Sequence, residues 1–435
     1  MPNKLIVLSF DALQTGDLDL LSKQPHFSEI FKHAAVVKDL HAIYPTLTYP
    51  IHTTIMTGVY PDKHGITHNQ KFTVNPESAD WNMIGSDWYW EKENVKVRTL
   101  PEAVYENGGT VATVIWPVMA GEKRWCNVPQ IWPTKTTRSS ARAIFENAAS
   151  EDVMADYYES YIAHYDWDAN MDAAFYAVDL AIDIIARKNP DLLMCHVLHL
   201  DHVRHLFGTQ GMAINTCLKA LDIIMGRFIK AVKDAGLYDQ TNFVILGDHG
   251  QIPVENVFYL NKALKDMGLI KNIDNKMGIA YDAYSFSSGF SSQIFLRDNE
   301  DKALKNKVYN ALSTLRTQYP AYIEHIYTKE EAEGAEHLKG DFVFVVEGTE
   351  GTLFLNEMDR GLVVSANAPD YKGYRATHGH HPSKGEKPPF IAFGPDIIEG
   401  KTISEGKTID ICPTLASLAG AEMPSVVGVP FDIIK

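Results

Sequence analysis

Five short apolar runs govern what this chain can become. They are Leu5 to Phe10, Thr110 to Ile115, Leu192 to Leu198, Phe243 to Leu246 and Phe390 to Phe393. Runs of this length and character suit strands buried on both faces, the hallmark of a parallel sheet. Between them lie stretches with apolar residues at three- and four-residue spacing. Met171 to Ala186, Ala213 to Val232 and Val257 to Asp266 predict amphipathic helices. This alternation predicts an α/β fold with a mostly parallel central sheet flanked by helices. Residues 269–371 break the rhythm. There the serine-rich SFSSGFSS reads as a loop, DKALKNKVYNALSTLRTQ as a helix, and DFVFVVEG and TLFLNE as short strands. The expected organisation is an α/β core of residues 1–268 and 372–435, interrupted by a small, cap-like α+β insert. The late IDICPTLASLAG predicts a short helix with a proline near its start.

With 435 residues, 45% of them hydrophobic, the chain can build a large core without a disulfide or a structural metal. Any metal is therefore expected to serve chemistry. A net charge of -15 argues against a nucleic acid polymer or an anionic membrane as partner. A small anionic substrate stays compatible, because a bound dication reverses the local field. Cys126, Cys195, Cys217 and Cys412 form no CxxC pair, which fits buried, inert thiols in a reducing compartment. No apolar stretch approaches the roughly 20 residues of a membrane helix. The first apolar run reads as a strand rather than a secretory leader, and a cytoplasmic location is expected.

Acids and histidines sit just past the predicted strands. Asp11 follows LIVLSF, Asp201 follows LLMCHVLHL with His205 four residues later, and Asp248 and His249 follow FVILG. His378 precedes the last run. In an open α/β sheet the carboxyl ends of the strands form the ligand-binding edge, so these distant segments are expected to meet. Carboxylate and neutral imidazole are zinc-type ligands, and three Asp with three His could bind two divalent ions. Each residue alone has a plainer role. Asp11 could cap a helix, Asp248 could shape a turn, and Asp201 with His205 could be an exposed pair. His196, His199, His202, His380 and His381 read as structural or as supports behind ligands. The segment YPTLTYPIHTTIMTG carries Thr46, Thr48, Thr53, Thr54 and Thr57, yet no acid or lysine to activate a hydroxyl. A coordinated metal can supply that activation.

The ordered motifs FDAL, YPTLTYPIHTTIMTGVYPDKHGITHN, LDHVRH, GDHG and THGH resemble the alkaline phosphatase superfamily. More narrowly, they resemble the type I phosphodiesterase and nucleotide pyrophosphatase family. The resemblance runs from Lys4 to about Gly428 and is weakest in the insert. It implies an alkaline-phosphatase-like α/β fold and hydrolysis of a small-molecule phosphoester through a phosphothreonine. It implies that Thr48, before Tyr49 and Pro50, is the nucleophile. Asp11, Thr48, Asp248 and His249 would bind one ion, and Asp201, His205 and His378 the second. Zinc is the expected metal, with manganese or iron as alternatives. Asn69 would hold a phosphoryl oxygen. Trp116, in TVIWPVMAG, falls in a segment resembling the leaving-group region and is a candidate substrate contact. Leu47 and Ile51 replace the lysine and asparagine that family members often carry, which leaves the substrate open.

Trp81, Trp88, Tyr89, Trp90, Trp116 and Trp125 either wall a leaving-group pocket or pack the core. Lys123 and Arg124 either meet an anionic substrate or form a solvated pair. A phosphonoacetate-type C–P hydrolase and a phosphomonoesterase are the alternatives within the superfamily. A sulfatase is disfavoured, since position 48 is neither cysteine nor serine. A metal-binding protein without catalysis is the distant alternative.

Overall fold

The computed structural model describes residues 2–72, 88–131, 140–164, 172–272 and 279–435. All five apolar runs enter one eight-stranded sheet. Its order is Thr402–Ile403, Ala35–Val37, Phe390–Phe393, Thr241–Leu246, Lys4–Phe10, Leu192–Val197, Val111–Val114, Cys126–Val128. The last five strands in that order are mutually parallel. Phe390–Phe393 runs antiparallel to both of its neighbours. Leu5, Val7 and Leu8 are fully buried, as are Leu192, Leu193 and Met194, because helices cover both faces. Asp172–Lys188 and Met212–Asp234 are two of these helices, close to their predicted bounds. The four cysteines are buried and unpaired. No helix among the described residues is long and apolar enough to cross a membrane.

Register decides where the chemistry gathers. Phe10 lies opposite Val197, and Ser9 lies opposite Leu246. The central strand and its two neighbours therefore end side by side. Asp11 donates its backbone N–H to the Val197 carbonyl at 3.1 Å.

A second core surrounds a four-stranded antiparallel sheet ordered Ala283–Ser287, Ser291–Leu296, Phe344–Gly348, Ile323–Thr328, with the helix Lys302–Gln318 packed on it. Two sequence expectations need correction here. SFSSGFSS is not a loop but most of a β-hairpin, with Ser287 opposite Ser292. Its alternation places Ser285 and Ser292 side chains 2.6 Å apart, so their hydroxyls satisfy each other in the interior. The predicted helix from Val257 begins only at Leu260, because Asn256–Phe258 is captured as a strand between Thr352–Phe354 and Val363–Ser365.

The hairpin turn touches the edge where the strands end. Gly289 (φ +93°) and Gly379 (φ +88°) face each other's loops. A Cβ at Gly379 would lie 1.5 Å from the Ser288 carbonyl oxygen, and one at Gly289 would lie 2.1 Å from that of His378. We expect Gly379→Ala to destabilise the fold by about 2–4 kcal/mol in urea unfolding, through both clash and unfavourable φ. Gly334→Ala, in the helix Lys329–Glu336 with nothing within 4 Å, is expected to stabilise by about 0.5–1 kcal/mol.

The helix Leu100–Glu106 carries a capping box between Thr99 and Glu102. Burial raises the Glu102 pKa, but bonds from Arg124, the Thr99 N–H and Lys92 outweigh it and set it at about 2. A depressed carboxylate stabilises above its unfolded value of 4.5 and loses that contribution as pH falls through about 2. Glu102→Gln is expected to flatten this part of the acid-unfolding curve.

Candidate active site

Thr48 opens the helix Thr48–Thr57, all of whose residues are buried. Its sister threonines are engaged elsewhere. Thr53 and Thr57 donate to the Tyr49 and Thr53 carbonyls at 2.7 and 2.6 Å. Thr54 meets His64 Nε2 at 3.0 Å, and Thr46 donates to the His380 carbonyl at 3.0 Å. Thr48 Oγ1 alone turns to the strand ends, 3.2 Å from His249 Nε2. Its backbone N–H has no acceptor among the described residues, and the residue two further on, Pro50, has no N–H to offer.

The six sequence-predicted acids and histidines form two adjacent groups. Ligand atoms of Asp11, Asp248 and His249 lie within 4.8 Å of one another, and so do those of Asp201, His205 and His378. The His249 and His378 rings stack at 3.9 Å and join the groups. His378 does not arrive on a main-sheet strand. It follows Ala376–Thr377, which pairs with Ile252–Pro253 directly beyond the GDHG loop.

Ring tautomers are set by backbone carbonyls. His205 Nδ1 donates to the Ala376 carbonyl at 2.8 Å, and His378 Nδ1 to that of Thr46 at 2.9 Å. Each Nε2 is thereby turned to Asp201, at 3.1 and 3.9 Å. Ala12, with φ 59°, folds back so that its N–H reaches Asp248 Oδ1 at 3.0 Å.

Burial and the neighbouring charges of Asp248 and Asp201 push the Asp11 carboxyl well up. Burial also raises Asp248. Burial works against Asp201 as well, yet the His205 imidazole beside it wins and holds that carboxyl far below the usual range. Burial takes His249 down to about 4 and His378 to about 3, so both rings are neutral at pH 7. Asp11 Oδ1 and Asp248 Oδ2 are buried without a hydrogen-bond partner. Burial lowers His205, but Asp201 outweighs it and raises that ring in turn, so the pair shares a proton that a cation could replace. Neutral His249 and His378, crowded carboxylates and orphaned oxygens suit divalent cations, so the donor set fits two such ions.

Asn69 accepts the Tyr49 N–H on Oδ1 at 2.9 Å, which leaves its amide nitrogen free among the described residues. Trp116 requires correction as a substrate contact. It is fully buried, with its edge against the His52 ring at 4.9 Å. Trp90 and Trp125 are also core, Trp88 and Tyr89 are half-buried, and Trp81 lies outside the described residues. Lys123 donates to the Glu146 and Ala149 carbonyls, and Arg124 pairs with Glu122 and Glu102. Neither reaches the clusters.

Sequence reasoning overlooked His52, one helical turn after Thr48. Its Nδ1 donates to the Thr48 carbonyl at 2.8 Å, and its Nε2 meets Ser9 Oγ at 2.9 Å. The signal was the i, i+4 spacing within a buried helix. His196 stands behind Asp11, with Nε2 3.0 Å from Oδ2.

A family model described as type I phosphodiesterase / nucleotide pyrophosphatase matches residues 5–383. The chain belongs to this family. An uncharacterised pyrophosphatase/phosphodiesterase of Schizosaccharomyces pombe is 23% identical over 252 residues, 58% of this chain and 45% of the relative. Human bis(5'-adenosyl)-triphosphatase ENPP4 is 21% identical over 430 residues, 97% of this chain and 79% of the relative. This chain spans less than half of the yeast relative and about a quarter of several Crotalus venom phosphodiesterases. Among solved structures, murine ectonucleotide pyrophosphatase/phosphodiesterase 5 shares the alkaline-phosphatase-like α/β fold. It is described as an inactive threonine-to-alanine variant in complex with AMP. Its TM-score is 0.69 at 20% identity, covering 98% of this chain and 97% of that one.

If these family side chains bind divalent ions, adding zinc to chelator-treated protein is expected to raise the thermal midpoint by several degrees, because the ions bind the folded state preferentially. Titration with zinc while following unfolding by circular dichroism checks this. A midpoint indifferent to zinc and manganese would leave the crowded carboxylates unexplained by metal.

Proposed function

We propose that the chain is a two-metal phosphoester hydrolase of the phosphodiesterase/nucleotide pyrophosphatase type, acting on small-molecule diesters through Thr48. The observation that carries this reading is the Thr48 hydroxyl, 3.2 Å from His249 Nε2 at the seam of the two ligand groups. Asp11, Asp248, His249 and Thr48 would hold one ion, and Asp201, His205 and His378 the other. Zinc suits this mixed donor set, with manganese or iron as alternatives. Such ions supply stabilisation of the threonine alkoxide and of the charge on the departing oxygen.

The Thr48 oxygen would attack phosphorus in line. A threonine–phosphorus bond forms as the bond to the departing alcohol breaks. Water then cleaves the phosphothreonine, restores the hydroxyl and releases the phosphomonoester. The free Thr48 N–H, at a helix start, and the Asn69 amide would hold a non-bridging oxygen. Asn69 is pre-set for this by its bond from the Tyr49 N–H. The inactive threonine-to-alanine variant of the murine relative supports a threonine nucleophile, and its AMP supports a nucleotide-like substrate. Residues 269–371 would act as a cap-like insert whose hairpin braces the His378 loop.

Two observations weigh against the alternatives. Arg204, the arginine of the LDHVRH motif, is fully buried and pairs with Asp17, so it offers no clamp for a dianionic monoester. Lys123 is bound to helix-end carbonyls, which removes the lysine that favoured a C–P hydrolase.

The deciding comparison is turnover of bis-p-nitrophenyl phosphate against p-nitrophenyl phosphate by zinc-loaded protein. Preference for the diester is expected; preference for the monoester would overturn the diester assignment. Thr48→Ala is expected to cut turnover by about three orders of magnitude or more, with metal binding retained. Asn69→Ala is expected to cost about 100-fold in kcat.

A further inference from the structure

We propose that Gln251 is a positioning residue that fixes the Asp201 carboxylate and so sets the divalent-ion affinity of the Asp201–His205–His378 group. This rests on the reading above that this group holds an ion.

Gln251 lies immediately beyond the GDHG loop, yet its side chain serves the other group. It is 2% exposed. Its Nε2 donates to Asp201 Oδ1 at 2.5 Å and to the Asp201 carbonyl at 3.2 Å. With Oδ1 engaged, Oδ2 faces His205 Nε2 at 3.1 Å. The amide thus decides how the carboxylate is rotated and which oxygen is offered beside the imidazole.

Gln251 is itself immobilised. Its carbonyl accepts from Gln14 Nε2 at 3.2 Å, and Gln14 is 3% exposed, three residues beyond Asp11. The next residue, Ile252, pairs with Thr377 in the short strand that delivers His378. Segments following three parallel strands thus meet at this one residue, its main-chain carbonyl held by Gln14 and its side chain holding Asp201.

A packing role alone does not account for an amide here. Gln251 Oε1 is buried with no hydrogen-bond partner, which is destabilising by itself. Methionine would fill similar space without that cost. Glutamate would set a fourth carboxylate against Asp201. Glutamine is the long side chain that donates to Asp201 while adding no charge.

The test is calorimetric titration of metal-free protein with zinc, for wild type and Gln251→Met. Wild type is expected to show two sites. Gln251→Met is expected to show one site unchanged and one weakened about 10- to 100-fold, the range typical of lost support behind a ligand. The thermal midpoint of the metal-free variant should stay at or above that of wild type. In an Asp201→Asn background, adding Gln251→Met should change zinc affinity no further, since the carboxylate through which it acts is gone. Two unchanged sites in Gln251→Met would overturn the inference while leaving the two-ion reading intact. Equal weakening of both sites, or a lowered metal-free midpoint, would reduce Gln251 to a structural role. A wild-type protein that takes up no ion would overturn the two-ion reading, and this inference with it.

Discussion

Three carboxylates meeting in a water-poor edge is the constraint on which the site depends. Parallel pairing in register aligns the ends of Lys4–Phe10, Leu192–Val197 and Thr241–Leu246. The chain then continues into Asp11, Asp201 and Asp248. Like charges so close cannot all be ionised without compensation, and burial raises the cost. The raised Asp11 and Asp248 carboxyls express that conflict. Holding protons relieves it, and the same donor set also fits divalent cations.

Support for this edge comes from polar groups that are themselves buried. His196, opposite Ser9 across two parallel strands, reaches Asp11. His52 bridges Ser9 and the Thr48 carbonyl, with Trp116 against its ring. On the far side, Tyr44 donates to Glu347 at 2.9 Å and Lys384 does so at 2.7 Å. That network ties the segment before Thr48 to the four-stranded sheet. The Thr48 helix, the His378 loop and the hairpin are thus parts of one hydrogen-bonded body. Rigidity of this kind holds the clustered side chains in a fixed arrangement.

Much of the fold was legible because a parallel sheet buried on both faces leaves a strong apolar imprint. The five runs and the two long helices are cases in point. Legibility failed where burial came from partners far along the chain. SFSSGFSS looks like a loop because its serines are polar, yet Ser285 and Ser292 satisfy each other inside a hairpin. Val257 has helical spacing, but two remote strands capture it. Trp116 sits in a segment resembling a pocket wall, and only packing revealed it beneath His52.

The sequence by itself determined the inventory of the site: three acids and three histidines just past strand ends or before the last run, and one threonine ahead of an aromatic–proline pair. Local chemistry suffices for that, because strand ends and ligand types are written in residue order. Tertiary structure alone decided how the Thr48 hydroxyl is turned to the clusters, which Asp201 oxygen meets Gln251 and which meets His205, and which histidines stand behind the clustered acids. Those outcomes depend on strand register and on hydrogen bonds between residues some 40 to over 300 positions apart, such as Ser9 with His52 and His378 with Thr46. No local pattern encodes them.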